Sequence, residues 1–177
     1  MDNKKPDRVI TCVHTGTGNS GTTDFQQKRL LKSSLEIHYV GSLDEAQSLI
    51  CYDETEYLSN TLLGFQDSLF TLGASAYNIE NTLYLTRITN LYEVWKEFLK
   101  YYLADIEPLT GFLRTCKSNQ IFMQLRACIR RSERIAVELE YKEHVKLLNI
   151  LSDVAFALAW LKTLEDHKPV LVWEGLK

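Results

Sequence analysis

Apolar residues at helical spacing run through most of this chain. Leu58, Leu62, Phe65, Leu69, Leu72 and Ala76 recur at steps of three and four, as do Leu85, Ile88, Leu91, Trp95, Phe98 and Tyr102. A repeat near 3.6 residues places such positions on one stripe of a helix, whereas a strand would need a step of two. Residues that break helices are scarce. The 177 residues include 8 Gly and 3 Pro, about half the usage of an average globular chain. That scarcity excludes a many-turned β-sandwich and predicts an all-α fold.

Five helices are predicted. The first starts at Ser42, where Ser42 and Glu45 have the spacing of a capping box behind Gly41, and runs to about Cys51. The second, capped by Asp53 or Thr55, carries the Leu58 to Ala76 stripe, and Asn78 to Asn81 form its connection to the third. The third spans Thr82 to Ala104. Residues 105–117 hold Pro108 and Gly111 and are read as a connection. The fourth, Ser118 to Glu140, buries Ile121, Leu125, Cys128, Ser132, Ile135 and Leu139; the fifth, Lys142 to Glu165, buries Val145, Leu148, Leu151, Ala155 and Leu158. The expected architecture is a five-helix, ferritin-like up-down bundle over residues 41–168. Residues 1–40 form an N-terminal segment with a glycine-rich loop, and Arg8 to Val13 read as a short extended stretch. Residues 169–177 form an apolar tail that docks on the bundle or on a neighbouring subunit.

Charge and composition exclude several functions. Twenty Lys and Arg against 23 Asp and Glu give a net charge of −3, unlike the basic footprint of a nucleic-acid or lipid-surface protein. No run reaches the roughly 18–20 apolar residues that cross a bilayer, and Met1 to Asp7 carry charges with no apolar core behind them, so no secretory signal is read there. An intracellular, cytoplasmic protein is expected. Cys12, Cys51, Cys116 and Cys128 lack paired spacing, and His14, His38, His144 and His167 are equally scattered, so no metal site is expected. The Glu-x-x-His pairs of a di-iron bundle are missing as well.

Four groups of residues could carry chemistry. Thr15 to Thr23 concentrate glycine and small hydroxyls, but Thr22 stands where a Walker A loop has its lysine, which counts against a P-loop and leaves either an anion-binding nest of amides or a plain surface loop. Arg126, Arg130 and Arg134 follow at steps of four, with Arg131 and Glu133 among them and Met123 and Val137 on the same side. Like charges so spaced repel by a few tenths of a kcal/mol per pair. Such a face is either solvated or covered by a partner or an anion. Asp44 and Glu45 at a helix start need no function, because the helix dipole favours them there. Asn149 and Asp153, one turn apart beside an apolar stripe, need partners that are either structural or a ligand.

Taken in order, these blocks resemble the PduO-type ATP:cob(I)alamin adenosyltransferases. Thr15-Gly16-Thr17-Gly18-Asn19-Ser20-Gly21-Thr22-Thr23 is similar to the family's Thr-Arg-Thr-Gly-Asp-x-Gly-x-Thr. Arg29-Leu30-Leu31-Lys32 matches Arg-Val-x-Lys, and Gly41-Ser42-Leu43-Asp44-Glu45-Ala46 matches Gly-x-x-Asp-Glu-Leu. Leu63 to Ala74, Arg126 to Arg134 and Leu148 to Asp153 resemble three further blocks, so the likeness spans about Val13 to Trp173.

The resemblance implies a homotrimer with MgATP bound between adjacent subunits and cobalamin beside it. Co(I) attacks the 5′ carbon of ATP and triphosphate leaves. It assigns Arg130, Lys32 and the loop Thr15, Thr17, Gly18, Asn19, Gly21 and Thr22 to the phosphates. Arg126 and Asp44 form a salt bridge across the subunit boundary, with Glu133 and Arg134 in the same arginine block and Asn149 near the nucleoside. Asp153 closes the last block, and Phe112 crowds out cobalamin's lower ligand. A cobalamin reductase or an acceptor enzyme is a possible partner. The chain departs from the pattern at Gly16 (arginine in the family), Asn19 (aspartate), Ile135 and Ile150 (arginines). The segment Leu113 to Lys117 is about two residues shorter than its Ile-Leu-Pro-Gly-Gly counterpart. Two alternatives are an ATP-binding or cobalamin-carrying trimer without transferase activity, and a purely structural bundle.

Overall fold

The computed structural model describes residues 16–51, 59–165 and 170–175. Among them are five helices: α1 (Leu35–Ser48), α2 (Ser59–Ala76), α3 (Thr82–Leu103), α4 (Gln120–Glu138) and α5 (Lys142–Glu165). They form the expected all-α bundle. Helix α5 packs on α4 and α3, α1 packs on α4 and α2, and α2 packs on α3, so the pairings close into a ring. Helix α5 is buried on nearly every side, with Leu147, Leu148, Leu151, Val154, Ala155 and Leu158 fully inside. By length and composition α5 could cross a membrane, contrary to the sequence reading, but 67% of its most apolar window is buried among the other helices. It is the core helix.

Asn81 accepts a hydrogen bond from the Leu83 amide and caps α3, while Glu140, at φ 59°, ends the turn after α4. Both sit where the expected boundaries fell. The start of α1 does not. It begins seven residues before Ser42, with Gly41 inside the helix. Ser42 is buried there, donating its hydroxyl to the Tyr39 carbonyl (2.7 Å) and sharing a 2.8 Å hydrogen bond with Ser132 of α4. A serine that looked like a cap is an interhelical contact. On α4 the buried stripe is Phe122, Leu125, Ile129, Ser132 and Ala136, about one residue round from the expected one, so Ile121 is 42% exposed. Arg8 to Val13, Leu58 and the caps Asp53 and Thr55 lie outside the described residues.

Two small antiparallel pairs complete the fold. Strands β1 (Thr22–Phe25) and β2 (Lys28–Leu31) form a hairpin that the sequence reading missed. Its turn residues Gln26 and Gln27 both have positive φ (49° and 60°), as a two-residue type I′ turn requires but as Asn-Gly would signal far better. The bundle supplies what propensity lacks. Phe25 is buried against Tyr77 at 4.6 Å between ring centroids, and the Gln26 amide donates to the Ala76 carbonyl at the end of α2 (2.7 Å). Strands β3 (Phe112–Leu113) and β4 (Val172–Trp173) pair in the second, so the tail docks on its own subunit. Gly111 permits this, since a Cβ there would stand 2.4 Å from the Trp173 carbonyl oxygen.

Candidate functional site

Residues 17–21 form tight turns in which the Asn19 amide donates to the Gly16 carbonyl (3.2 Å) and the Gly21 amide to Gly18 (3.1 Å). Gly16 and Gly21 have positive φ, 69° and 79°. The Lys32 amide bonds the Gly21 carbonyl at 2.9 Å, and a Cβ on Gly18 would lie 2.8 Å from Lys32 Nζ. Loop and lysine, 11 to 14 residues apart in sequence, are thus in contact, with Thr17, Asn19, Gly21 and Lys32 exposed. Thr15 lies outside the described residues. A groove of about 260 Å³ continues from Lys32 along α1, past His38, Gly41 and Glu45, to Arg131 and Ile135 of α4.

The second group lies on the outward face of α4 and α5. Arg126 is half-buried, its guanidinium carbon 5.4 Å from the centre of the Phe156 ring, in the range of a cation–π contact. Its Nε is buried without a hydrogen-bond partner, unusual for a charged group. Burial pushes the Asp153 carboxyl up, and the charges of Arg126 and Arg130 pull it back down; Asp153 precedes by one turn the Phe156 ring on which Arg126 rests. Asn149 sits one turn before Asp153 on the same side of α5; Arg130, Arg134 and Asn149 are exposed and Glu133 is half-buried. The arginines expected to share a stripe do so.

One chain does not join the two groups. On α4, Arg131 is turned about 100° from Arg130, and it forms an ion pair with Glu45 of α1. Asp44, beside Glu45, is exposed and makes no ion pair among the described residues. The expected pairing of Asp44 with Arg126 is therefore not made within a subunit. Phe112 stands apart on β3, 74% exposed, with its ring 6.0 Å from that of Trp173.

Sequence reasoning missed two features. Trp173 was read only as part of an apolar tail, although it faces the one exposed aromatic singled out. Arg29 entered only as a motif letter, yet it pairs with Asp24 directly across the hairpin. A recognised hairpin would have given that pair, because Asp24 and Arg29 are opposite each other in register. Cys116 is a further local feature. Hydrogen bonds from Ser118 and from the amides of Asn119 and Ser118 lower its thiol pKa.

Among the described residues no group of three His, Cys, Asp or Glu side chains could hold a metal. Near the loop the acid is Asp24, already paired with Arg29. These residues do not build a protein cage for Mg²⁺.

Residues 13–162 match the model of a family described as cobalamin adenosyltransferase. No curated protein sequence matches significantly. Among solved structures, a variant PduO-type ATP:corrinoid adenosyltransferase from Lactobacillus reuteri, complexed with cobalamin and ATP, superimposes with a TM-score of 0.80 at 20% identity, covering 93% of this chain and 98% of that one. Another variant from the same organism, complexed with ATP, gives a TM-score of 0.75 at 20% identity over 91% and 99% of the two chains.

Proposed function

Since the chain belongs to the cobalamin adenosyltransferase family, we propose that it transfers the 5′-deoxyadenosyl group of ATP to cob(I)alamin. The cobalt electron pair forms a bond to C5′, the C5′–O bond breaks, and triphosphate departs with the electron pair of the broken C5′–O bond. The observation that carries this reading is the α4–α5 face, where Arg126, Arg130, Asn149 and Asp153 gather and the buried Arg126 Nε lacks an acceptor. Fixed guanidinium groups there stabilise charge that grows on the leaving phosphates without reorganising during the step. In this scheme Arg130 and Lys32 hold the phosphates, helped by Thr17, Gly18, Asn19, Gly21 and Thr22, and Asn149 orients the nucleoside. Phe112 presents an apolar ring to the lower face of the corrin. Glu133 and Arg134 border the arginines. Magnesium would arrive on the nucleotide's phosphates, as it commonly does where a protein offers few carboxylates.

We place the complete site between subunits of a homotrimer. The separation of Asp44 from Arg126 within one chain supports this, since an adjacent copy would bring the loop and Asp44 to the arginine face. Free Cys51, Cys116 and Cys128 fit the reducing cytoplasm. A reductase supplying Co(I) and an enzyme accepting adenosylcobalamin would stand before and after the reaction.

The test mixes the protein with MgATP and chemically reduced cobalamin and follows the absorbance change as adenosylcobalamin forms. Turnover, by a species sedimenting at three times 20.5 kDa, is the expected outcome. MgATP binding without turnover would favour a diverged ATP-binding or cobalamin-carrying trimer, a reading favoured by Gly16, Asn19 and the altered segment after Phe112. Failure to bind either ligand would leave only a structural bundle.

A further inference from the structure

Arg29 has no part in the scheme above, yet its side chain has three polar partners within the hairpin and its loop. It lies on β2 opposite Asp24 of β1, and its guanidinium serves three acceptors at once. Nε donates to the Thr22 hydroxyl (2.9 Å), Nη2 donates to the Thr17 carbonyl, and Nη1 pairs with the Asp24 carboxylate (3.0 Å). Thr17 and Thr22 are the two ends of the loop that contains Gly18 and Gly21. One side chain therefore fastens both ends. Lys32, three residues further on, closes the same loop by its amide bond to Gly21 and sets its ammonium against Gly18.

This arrangement needs arginine. A planar fork with five N–H donors can serve three acceptors in fixed directions, and an ammonium cannot. Arg29, Asp24 and Thr17 are exposed and Thr22 is half-buried, so the contacts add little to global stability. Their effect is local. A loop already held in its bound shape loses less entropy when it closes on a ligand.

We propose that Arg29 is a positioning residue that holds the Thr17–Thr22 loop, and through it Lys32, in the shape that receives the nucleotide's phosphates. It acts through the loop and does not touch the phosphates. The proposal rests on the nucleotide reading of this loop.

Full-length wild type, Arg29→Ala and Arg29→Lys are compared by calorimetric titration with MgATP and by steady-state adenosylation, with helical circular dichroism as the folding control. Arg29→Ala is expected to raise both the Kd for MgATP and the KM for ATP by about tenfold or more, the scale of a charge-assisted hydrogen bond. The kcat at saturating ATP should change by less than about threefold, because interactions lost equally in ground and transition states leave kcat alone. Arg29→Lys should not restore affinity. Unchanged MgATP affinity in Arg29→Ala, full rescue by Arg29→Lys, or a loss confined to kcat would each overturn the proposal. Wild type that fails to bind MgATP would remove the nucleotide reading itself and this proposal with it. That result differs from a wild type that binds beside an Arg29→Ala that binds equally, which removes Arg29's role alone.

Discussion

Residues 17–32 hang on the bundle by the buried ring of Phe25 and the amide of Gln26, whereas Arg126, Arg130, Asn149 and Asp153 ride on two helices whose other faces make the core. The first half of the candidate site is shaped by turns and a few side-chain hydrogen bonds. The second is shaped by packing that extends through the whole molecule. Substitutions in the helical half should remove charge without moving its neighbours. In the hairpin half they should move neighbours even when no charge is lost.

Acid strikes the scaffold of the helical half hardest. His144, near the start of α5, is buried; its Nδ1 is 2.9 Å from the Tyr39 hydroxyl of α1 and its Nε2 is 3.1 Å from the Ser75 hydroxyl of α2. Burial lowers its pKa from 6.5 to about 4. The unfolded chain then binds the extra proton between those values, so stability rises with pH across that window. It is fully present above about 6.5 and lost as pH falls toward 4, by about 3 kcal/mol in total. Urea unfolding at pH 4.5 and pH 7 should show the drop, and equal midpoints would show that the node is not held neutral.

Next in size is Arg130→Ala, with a rate loss of about 10²-fold, as for removal of a charge-stabilising group, at unchanged thermal stability because the side chain is exposed. An unchanged rate would exclude Arg130 from the chemistry. Gly18→Ala probes the other half with no change of charge. Its methyl would meet Lys32 Nζ at 2.8 Å, the end of a flexible chain, so the ammonium should swing away and MgATP affinity fall about tenfold. Titration with MgATP measures it; wild-type affinity would mean that Lys32 does not act from this position. Gln26→Ala is the smallest, costing the hairpin about 1 kcal/mol through the lost bond to Ala76. It should appear as faster amide exchange at Leu30 and Lys32, whose amides donate across the hairpin, with the helices unchanged.

The contrast between the halves also explains what could be read in the sequence. The limits of α3 and α5 fell where Asn81 and Tyr141-Lys142 put them, since both helices have strong periodicity and Asn81 caps the first of them. The start of α1 was misread because Ser42 and Glu45 imitate a cap, and a serine facing Ser132 across a helix pair has the same letters as a serine capping amides. The hairpin left no signature, since Gln26-Gln27 is a poor I′ turn that forms because Phe25 and Gln26 find partners on α2. The arginine stripe was legible as a stripe, but its relation to Asp153 required the packing of α5 on α4.

The amino-acid order alone determined that this chain forms helices, which of their faces carry cations, and which motif blocks follow one another, because these depend on residues within a few turns of each other. Tertiary structure alone decided that Lys32 touches Gly18, that Trp173 lies beside Phe112, that Arg126 keeps a buried donor without an acceptor, and that Asp44 stays away from Arg126. Those relations join residues distant in sequence, and they are fixed by how helices and strands settle against one core, which no local pattern encodes.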